Sequence, residues 1–477
     1  MRSFTQPEQP ENSQFPPTHR AVVIGASITG LLAARILSDF FDSVIVVDSD
    51  HLPAATAARR GVPQSVQPHV LFAKGYRILQ DLFPGIEQDL SAAGALSIDW
   101  AREFDHFGEG GWNRHTAAPS DIVSVTCSRP LLEGVIRQRV ATLPSVQFLP
   151  QHRVTGLLTG AEHHQVSGIT LQSRSDVGIK QLSAALVVDA SGRRSAAPQW
   201  FEQLGWRPPA ETIINPFLGY ATRRYRVPAD VQTNWKVLLI SQQPPHQKRL
   251  GYLAAIESGE WIATLGGYGQ DFPPTNEAGF LAFAQTLASP DFYQLIKMAE
   301  PVSPIYAYRT TANRLRHYEQ VLMPQGFVAL GDAVCALCPV YGQGMTVAAL
   351  SSLVLQNWLQ QARQKATPSL DSTQFQKQLA QSNALHWMLA TGQDSRFPTT
   401  TGRTESGWLG KMMGWYMQQV IQAPSIDETL HLQFVAVTQA LQSPFTLYHP
   451  RTMLRAFRSL HGVKKLVHSV VEPQQTN

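Results

Sequence analysis

Residues 21–24 (Ala-Val-Val-Ile) form a short run with no polar position, and residues 43–47 (Ser-Val-Ile-Val-Val) form a second that is apolar after its first residue. Continuous β-branched runs of this length predict strands buried on both faces of a parallel sheet. Between them, Leu31, Leu32, Ala34 and Ile36 predict a helix from Gly30 that packs on that sheet, so residues 21–48 read as one βαβ unit. Residues 186–189 and 326–330 predict two more buried strands. Between 211 and 320 the pattern changes to alternation, in 219–227, 237–241 and 251–256, the last turning through Glu257-Ser-Gly-Glu260 into 261–265 as an antiparallel hairpin. Two helices are expected next, one after Asn276 and one at Ser289, with Ser289 as cap and Pro290 in the first helical position. A third is expected from about Met345. Large apolar residues at helical spacing return in 408–421, which reads as core packing or a lid, with a membrane-surface contact as the sharper alternative.

The chain has 477 residues, 43% of them hydrophobic, enough for two sizeable cores and an appendage. The predicted order is a loose polar leader over 1–19, an α/β domain in two parts (20–210 and 321–365), an inserted antiparallel-sheet domain (211–320) and a helical C-terminal region (366–477). Lys and Arg number 39 against 35 Asp and Glu, scattered along the chain, which argues against a nucleic-acid partner. Three cysteines give no disulfide framework and point to a reducing compartment, with the cytoplasm expected. No apolar run reaches the roughly 18 residues of a spanning helix, so membrane contact is expected to be peripheral at most.

Two separated motifs carry the chemistry. In Gly25-Ala-Ser-Ile-Thr-Gly30, Gly25 permits the tight turn leaving the strand and Gly30 lets the helix pack closely, so that its N-terminal amides face a pyrophosphate. Ser27 stands at the middle position, where its hydroxyl can donate a hydrogen bond. Asp48 ends the second strand, eighteen residues beyond Gly30, near the spacing at which a carboxylate meets ribose hydroxyls. Far downstream, Asp332 follows a buried strand, and Gly342 and Gly344 allow backbone amides to approach a ring at the start of a helix. A strand ending in Asp189-Ala-Ser-Gly-Arg193 supplies a third small-residue turn.

These runs resemble the FAD-dependent monooxygenases of the aromatic-hydroxylase fold. The resemblance sharpens at Arg59-Arg-Gly-Val-Pro-Gln64, Pro68-His-Val-Leu71 and Cys127-Ser-Arg-Pro-Leu-Leu132, which are similar to the bacterial olefin epoxidases of polyether pathways, relatives of squalene epoxidase. It implies an α/β fold with a Rossmann-like FAD-binding domain, the inserted sheet carrying the substrate, and the helical C-terminal region. It further implies that Gly25, Ser27, Gly30 and Asp48 hold the ADP half of FAD, that Val154 lies in the strand meeting adenine, that Arg129 contacts the cofactor near its phosphates or ribityl chain, and that Arg59 or Arg60 sits near the moving flavin or its phosphates. Asp332 binds the ribityl-pyrophosphate region, and Gly342, Gly344 and Met345 lie beside the ring. No protein nucleophile is required. Pro339, Tyr341, Gly342, Gln343 and Gly344 form the flavin pocket, and Tyr220, Tyr252, Tyr268 and Tyr341 are candidate walls.

The implied reaction inserts one oxygen atom from O2, through a flavin C4a-hydroperoxide, into a hydrophobic unsaturated or aromatic small molecule, as in epoxidation of an alkene in a secondary-metabolite pathway. Aromatic hydroxylases carry Asp-Gly where this chain has Ser191-Gly192, so the electrons come either from NAD(P)H directly or from a separate flavin reductase. A double-bond reductase of the geranylgeranyl-reductase type and a non-catalytic flavin-binding protein are the alternatives. A halogenase lacks support because the chain has no Trp-x-Trp-x-Ile-Pro run. His69 and His317 read as structural hydrogen bonders, Cys335 and Cys338 as packed thiols rather than a redox dithiol, and no metal is implied.

Overall fold

The computed structural model describes residues 19–458, apart from 54–56, 58, 60, 161–163, 175–177, 365–369, 404–407 and positions 409–411, 413, 415, 418, 419, 421, 423, 424 and 426. All of the expected leader but His19 lies outside the described residues. The βαβ unit consists of β1 (Arg20–Ile24), α1 (Ile28–Leu37) and β2 (Ser43–Val47). β1 pairs in parallel with β2 on one side and with Leu186–Asp189 on the other; Val146–Leu149 and Phe327–Ala329 complete a five-stranded parallel sheet. Every position of β1 and β2 is buried, since α1 and the helices Arg129–Ala141 and Gly344–Arg363 pack their apolar side chains against the sheet. Val22, Val23, Val44 and Val46 are fully buried, a gain of roughly 1.5–3 kcal/mol per side chain.

Five of the strands in the second large sheet are Gly219–Arg226, Glu260–Gly267, Arg249–Ile256, Val237–Ile240 and Phe104–Gly108, in that spatial order. The last pairs in parallel with Val237–Ile240, so this sheet also recruits chain from well before residue 211. Alternation divides its faces. Ala221, Tyr225, Trp261, Ala263 and Leu265 pack against Phe280, Phe283, Phe292 and Ile296 of the helices Glu277–Ala284 and Asp291–Met298. Tyr220, Tyr252 and Thr264 point to the opposite side, into a cavity. The Asn276 side chain caps the first helix by accepting from Gly279 N–H at 2.8 Å. The second helix begins one residue later than the sequence pattern suggests, with Pro290 as the N-cap; Ser289 still serves the helix start, its Oγ accepting from the Asp291 N–H at 3.4 Å while its hydroxyl donates to the Asp291 carboxylate.

The C-terminal region is helical, with Ser372–Asp394 and Glu428–Thr438 as well-defined members. Val435 and Ala436 pack on Ile98, Trp100, Val237 and Ile262, which closes the cavity side of the second sheet. In the 408–421 segment, Tyr416 and Val420 are buried with Leu447, whereas Trp408 and Met412 are exposed. Among the described residues, no helix is long and apolar enough to cross a membrane.

Candidate functional site

β1, Leu186–Asp189 and Phe327–Ala329 are neighbours running in parallel, so the turns that leave them emerge at one edge of the sheet. Those turns touch. Gly25 has φ +102°, and a Cβ there would lie 2.7 Å from the Ala190 carbonyl oxygen. Gly331 has φ +57°, with Thr29 Oγ1 2.5 Å from where a Cβ would sit, and Gly192 abuts Asp332. Gly30 faces the turn itself: its Cβ would fall 1.8 Å from the Gly25 carbonyl oxygen, so glycine is what allows α1 to start there. Asp189 is fully buried and accepts from the Ser191 N–H (3.0 Å) and from the hydroxyls of Ser191 and Ser195 (2.5 Å each). Its carboxylate therefore fixes the turn and is not offered to a ligand.

These turns open onto a cavity of about 1610 Å³. Gly25, Ser27, Asp48, Arg59, Arg129, Val154, Asp332, Pro339 and the stretch from Tyr341 to Met345 all line it, so sequence positions more than three hundred residues apart are brought together. Gly30 lies behind this wall, and Arg60 lies outside the described residues. Two helices aim their N-termini at the cavity without a side-chain cap: α1 and Gly344–Arg363. Their leading amides are the unsatisfied donors of a helix start, and a Cβ on Gly344 would meet nothing within 4 Å. A large anionic ligand with two separated hydrogen-bonding ends fits this arrangement.

The sequence reading missed the residue that organises the first of those ends. Glu133 is buried, and one of its oxygens accepts from Arg59 Nε at 2.8 Å while the other takes the Ser27 hydroxyl at 3.0 Å and Arg129 Nη2 at 3.1 Å. Arg137 approaches at 3.5 Å. Burial alone would raise the Glu133 pKa, but the charges of Arg129 and Arg59 and the hydrogen bonds from Arg129 and Ser27 outweigh it and the net shift is downward. Arg129 also donates to Ser27 Oγ at 2.9 Å, so the serine between the two glycines is held from two sides. Asp48 Oδ2 accepts from Ala26 N–H at 2.7 Å, and Arg59 Nη1 lies 3.4 Å away.

At the other end, Asp332 lies 3.5 Å from Arg193 Nε. Burial raises its pKa, against the pull of Arg193 and Arg129. Tyr220, Tyr252 and Tyr341 line the cavity as expected, but Tyr268 does not: it is fully buried and stacks on Phe397 at 4.2 Å. His69 lines the cavity. Its Nδ1 contacts the Gln67 carbonyl at 2.9 Å, and burial together with Arg129 pushes its pKa down to about 3, so the ring is neutral. His317 bridges Thr212 and Glu319 away from the cavity.

Cys335 and Cys338 are both about 1% exposed, and burial pushes Cys335 up to about 12 and Cys338 well above the ordinary thiol range. The reactive species is the thiolate, so both should resist alkylation in the native protein at neutral pH and react only on unfolding. Mass-spectrometric counting of iodoacetamide adducts checks this; rapid native labelling of either thiol would contradict it.

No model of a known protein family matches the chain. Over 435 residues it is 32% identical to protein Rv3254 of Mycobacterium tuberculosis, a match covering 90% of this chain and 90% of that protein. Solved structures of other proteins share its fold. The flavin-dependent brominase Bmp2 covers 93% of this chain and 98% of its own, with a TM-score of 0.64 at 14% identity. PqsL of Pseudomonas aeruginosa, a probable FAD-dependent monooxygenase, covers 86% and 97%, with a TM-score of 0.57 at 15% identity. The α/β architecture, with its parallel sheet, second large sheet and helical C-terminal region, is thus the fold of these flavin-dependent proteins.

Proposed function

The chain belongs to the family of protein Rv3254 of Mycobacterium tuberculosis, and we propose that it is an FAD-dependent monooxygenase acting on a hydrophobic unsaturated or aromatic small molecule, with epoxidation of an alkene as the preferred reaction. The observation that carries this reading is one continuous cavity, in which two uncapped helix N-termini and an arginine cluster give way to a wall of aromatic and aliphatic side chains. Gly25, Ser27 and the start of α1 hold the pyrophosphate, with Arg129 beside it. Asp48 takes the adenosine ribose, Val154 flanks adenine, and Asp332 takes the ribityl chain. Gly342, Gln343, Gly344 and Met345 lie along the ring.

When bound and reduced, FAD would supply the two electrons that activate O2, one atom of which goes to the substrate while the other leaves as water. The protein's own part is orientation and exclusion of water. The start of helix Gly344–Arg363 places positive backbone charge where negative charge on the reduced ring is stabilised. Trp100, Phe104, Leu239, Tyr252 and Phe434 line the remainder of the cavity with apolar surface, which orients a hydrophobic substrate and keeps solvent from the reacting atoms. Electrons arrive from NAD(P)H or from a separate flavin reductase. The Ser191 N–H and hydroxyl hydrogen are both donated to Asp189, so this position has no free donor for a nicotinamide cofactor, which favours the reductase.

Oxygen uptake by the FAD-loaded, chemically reduced protein, coupled to oxygenation of a panel of terpenoid and polyene alkenes, tests the activity. Conversion that proceeds equally without oxygen would replace this reading with a double-bond reductase. The cofactor assignment has its own test in Asp332→Ala. Loss of a hydrogen bond to a charged group is worth about 1.5–3 kcal/mol, so FAD affinity should fall roughly tenfold to hundredfold while far-UV circular dichroism stays unchanged. Unaltered affinity would remove Asp332 from the site.

A further inference from the structure

Asp394, the last residue of helix Ser372–Asp394, is fully buried, and the cations near it in sequence are engaged elsewhere: Arg396 pairs with Glu109 at 2.8 Å. Its Oδ1 accepts the hydroxyl hydrogen of Tyr341 at 2.5 Å, and its Oδ2 accepts from Asn313 Nδ2 at 2.6 Å. Asn313 cannot turn over, since its own Oδ1 holds the Cys338 backbone N–H at 2.7 Å. Tyr341 sits in the turn Pro339–Tyr341 that leads into helix Gly344–Arg363, and it lines the cavity. An acid at this position sits at the negative end of its helix and away from water, where an asparagine would cost less.

The two short hydrogen bonds, from Tyr341 and Asn313, direct where a proton goes. A proton on Oδ2 would oppose the fixed Asn313 donor, so it must sit on Oδ1, facing Tyr341. The tyrosine hydroxyl rotates freely, can accept there, and must then direct its own hydrogen elsewhere. The other oxygen within reach, Tyr268 Oη, is 3.5 Å away, at the outer edge of hydrogen bonding. We propose that Asp394 is a positioning residue that sets the polarity of Tyr341 toward the cavity, an acceptor while Asp394 is a carboxylate and a donor once Asp394 is protonated. The readout described next rests on the flavin reading of the cavity.

The groups facing Asp394 are Tyr341 and Cys338 from the turn, Tyr268 from the segment after Glu260–Gly267, Tyr220 from Gly219–Arg226, and the neutral Asn313. Burial holds the three tyrosines and the thiol well above their ordinary values, so all stay protonated at neutral pH. Burial also raises Asp394, to about 6, although hydrogen bonds from Tyr341, Asn313 and Tyr268 work against it. It is the member of this cluster whose charge changes near neutrality.

The test is the visible absorption of FAD bound to the full-length protein, titrated from about pH 5 to about pH 8. The wild-type flavin band should shift with one midpoint near 6. In Asp394→Asn, the amide oxygen must face Asn313 and the amide N–H must face Tyr341, which fixes the tyrosine as a donor to the cavity. Its spectrum should therefore match the acid form of the wild type at every pH. Tyr341→Phe, saturated with FAD, should show no such shift. A shift that survives in Asp394→Asn with its midpoint unchanged overturns the proposal. So does a wild-type spectrum that ignores pH, and that result leaves the flavoprotein reading intact. A wild-type protein that takes up no FAD overturns the flavoprotein reading first.

Discussion

Replacing Glu133 by alanine is expected to cost about 3–5 kcal/mol of stability, the range for removing one partner from a buried ion pair. The loss arises because Arg59 and Arg129, both almost fully buried, lose the carboxylate they share, and Arg59 keeps only the more distant carboxylates of Asp48 and Asp50. Ser27 also loses the acceptor for its hydroxyl, so the turn after β1 slackens at the point where the pyrophosphate is proposed to sit. Urea unfolding of the flavin-free protein measures the stability term, and FAD titration the second. Glu133→Gln separates shape from charge. Since the folded-state pKa of Glu133 lies below its unfolded value of about 4.3, the stability it contributes is present above that value and is lost as pH falls through the folded one. The wild type should therefore weaken on acidification through that window more steeply than Glu133→Gln. Parallel pH profiles for the two proteins would show that the arginines are satisfied without this carboxylate.

Why Glu133 escapes a reading of the sequence, while Gly25 and Asp332 do not, is a matter of distance along the chain. The glycine turns announce themselves locally, because a buried strand, a small residue and a helix follow one another within a few positions. Glu133 stands four residues after Arg129 in a helix, which from sequence is an ordinary surface pair. Its decisive partner, Arg59, lies 74 residues earlier and reaches it only through the tertiary fold. The second large sheet shows the same division. Its strands 219–226, 249–256 and 260–267 alternate cleanly and are legible, whereas Phe104–Gly108 is half-buried throughout and finds its parallel partner Val237–Ile240 more than a hundred residues on. Asp394 is hidden for a related reason. It ends a helix with little amphipathic pattern, among Ser, Thr and Gln, and its burial follows from the turn it supports.

The contact among the three glycine turns makes Gly25→Ala the other severe substitution. Two penalties act at once: φ of +102° is a conformation that an L side chain rarely adopts, and the new Cβ would press to 2.7 Å on the backbone oxygen of Ala190, which cannot swing aside as a side chain would. The φ strain alone is worth about 1–3 kcal/mol. If the empty protein relieves it by moving the β1 turn off its neighbour, the same energy must be returned when a ligand draws the turns together. FAD affinity should then fall about 5- to 150-fold at 1.4 kcal/mol per factor of ten, while the melting temperature drops modestly. If instead the sheet holds the turn in place, stability bears the whole penalty and affinity is unchanged. Measuring both quantities on one variant distinguishes a rigid cradle from one that closes on its ligand, since the two losses share a single strain energy and trade against each other. Retention of wild-type values in both would mean that the Gly25 and Ala190 turns are not packed as tightly as their geometry indicates.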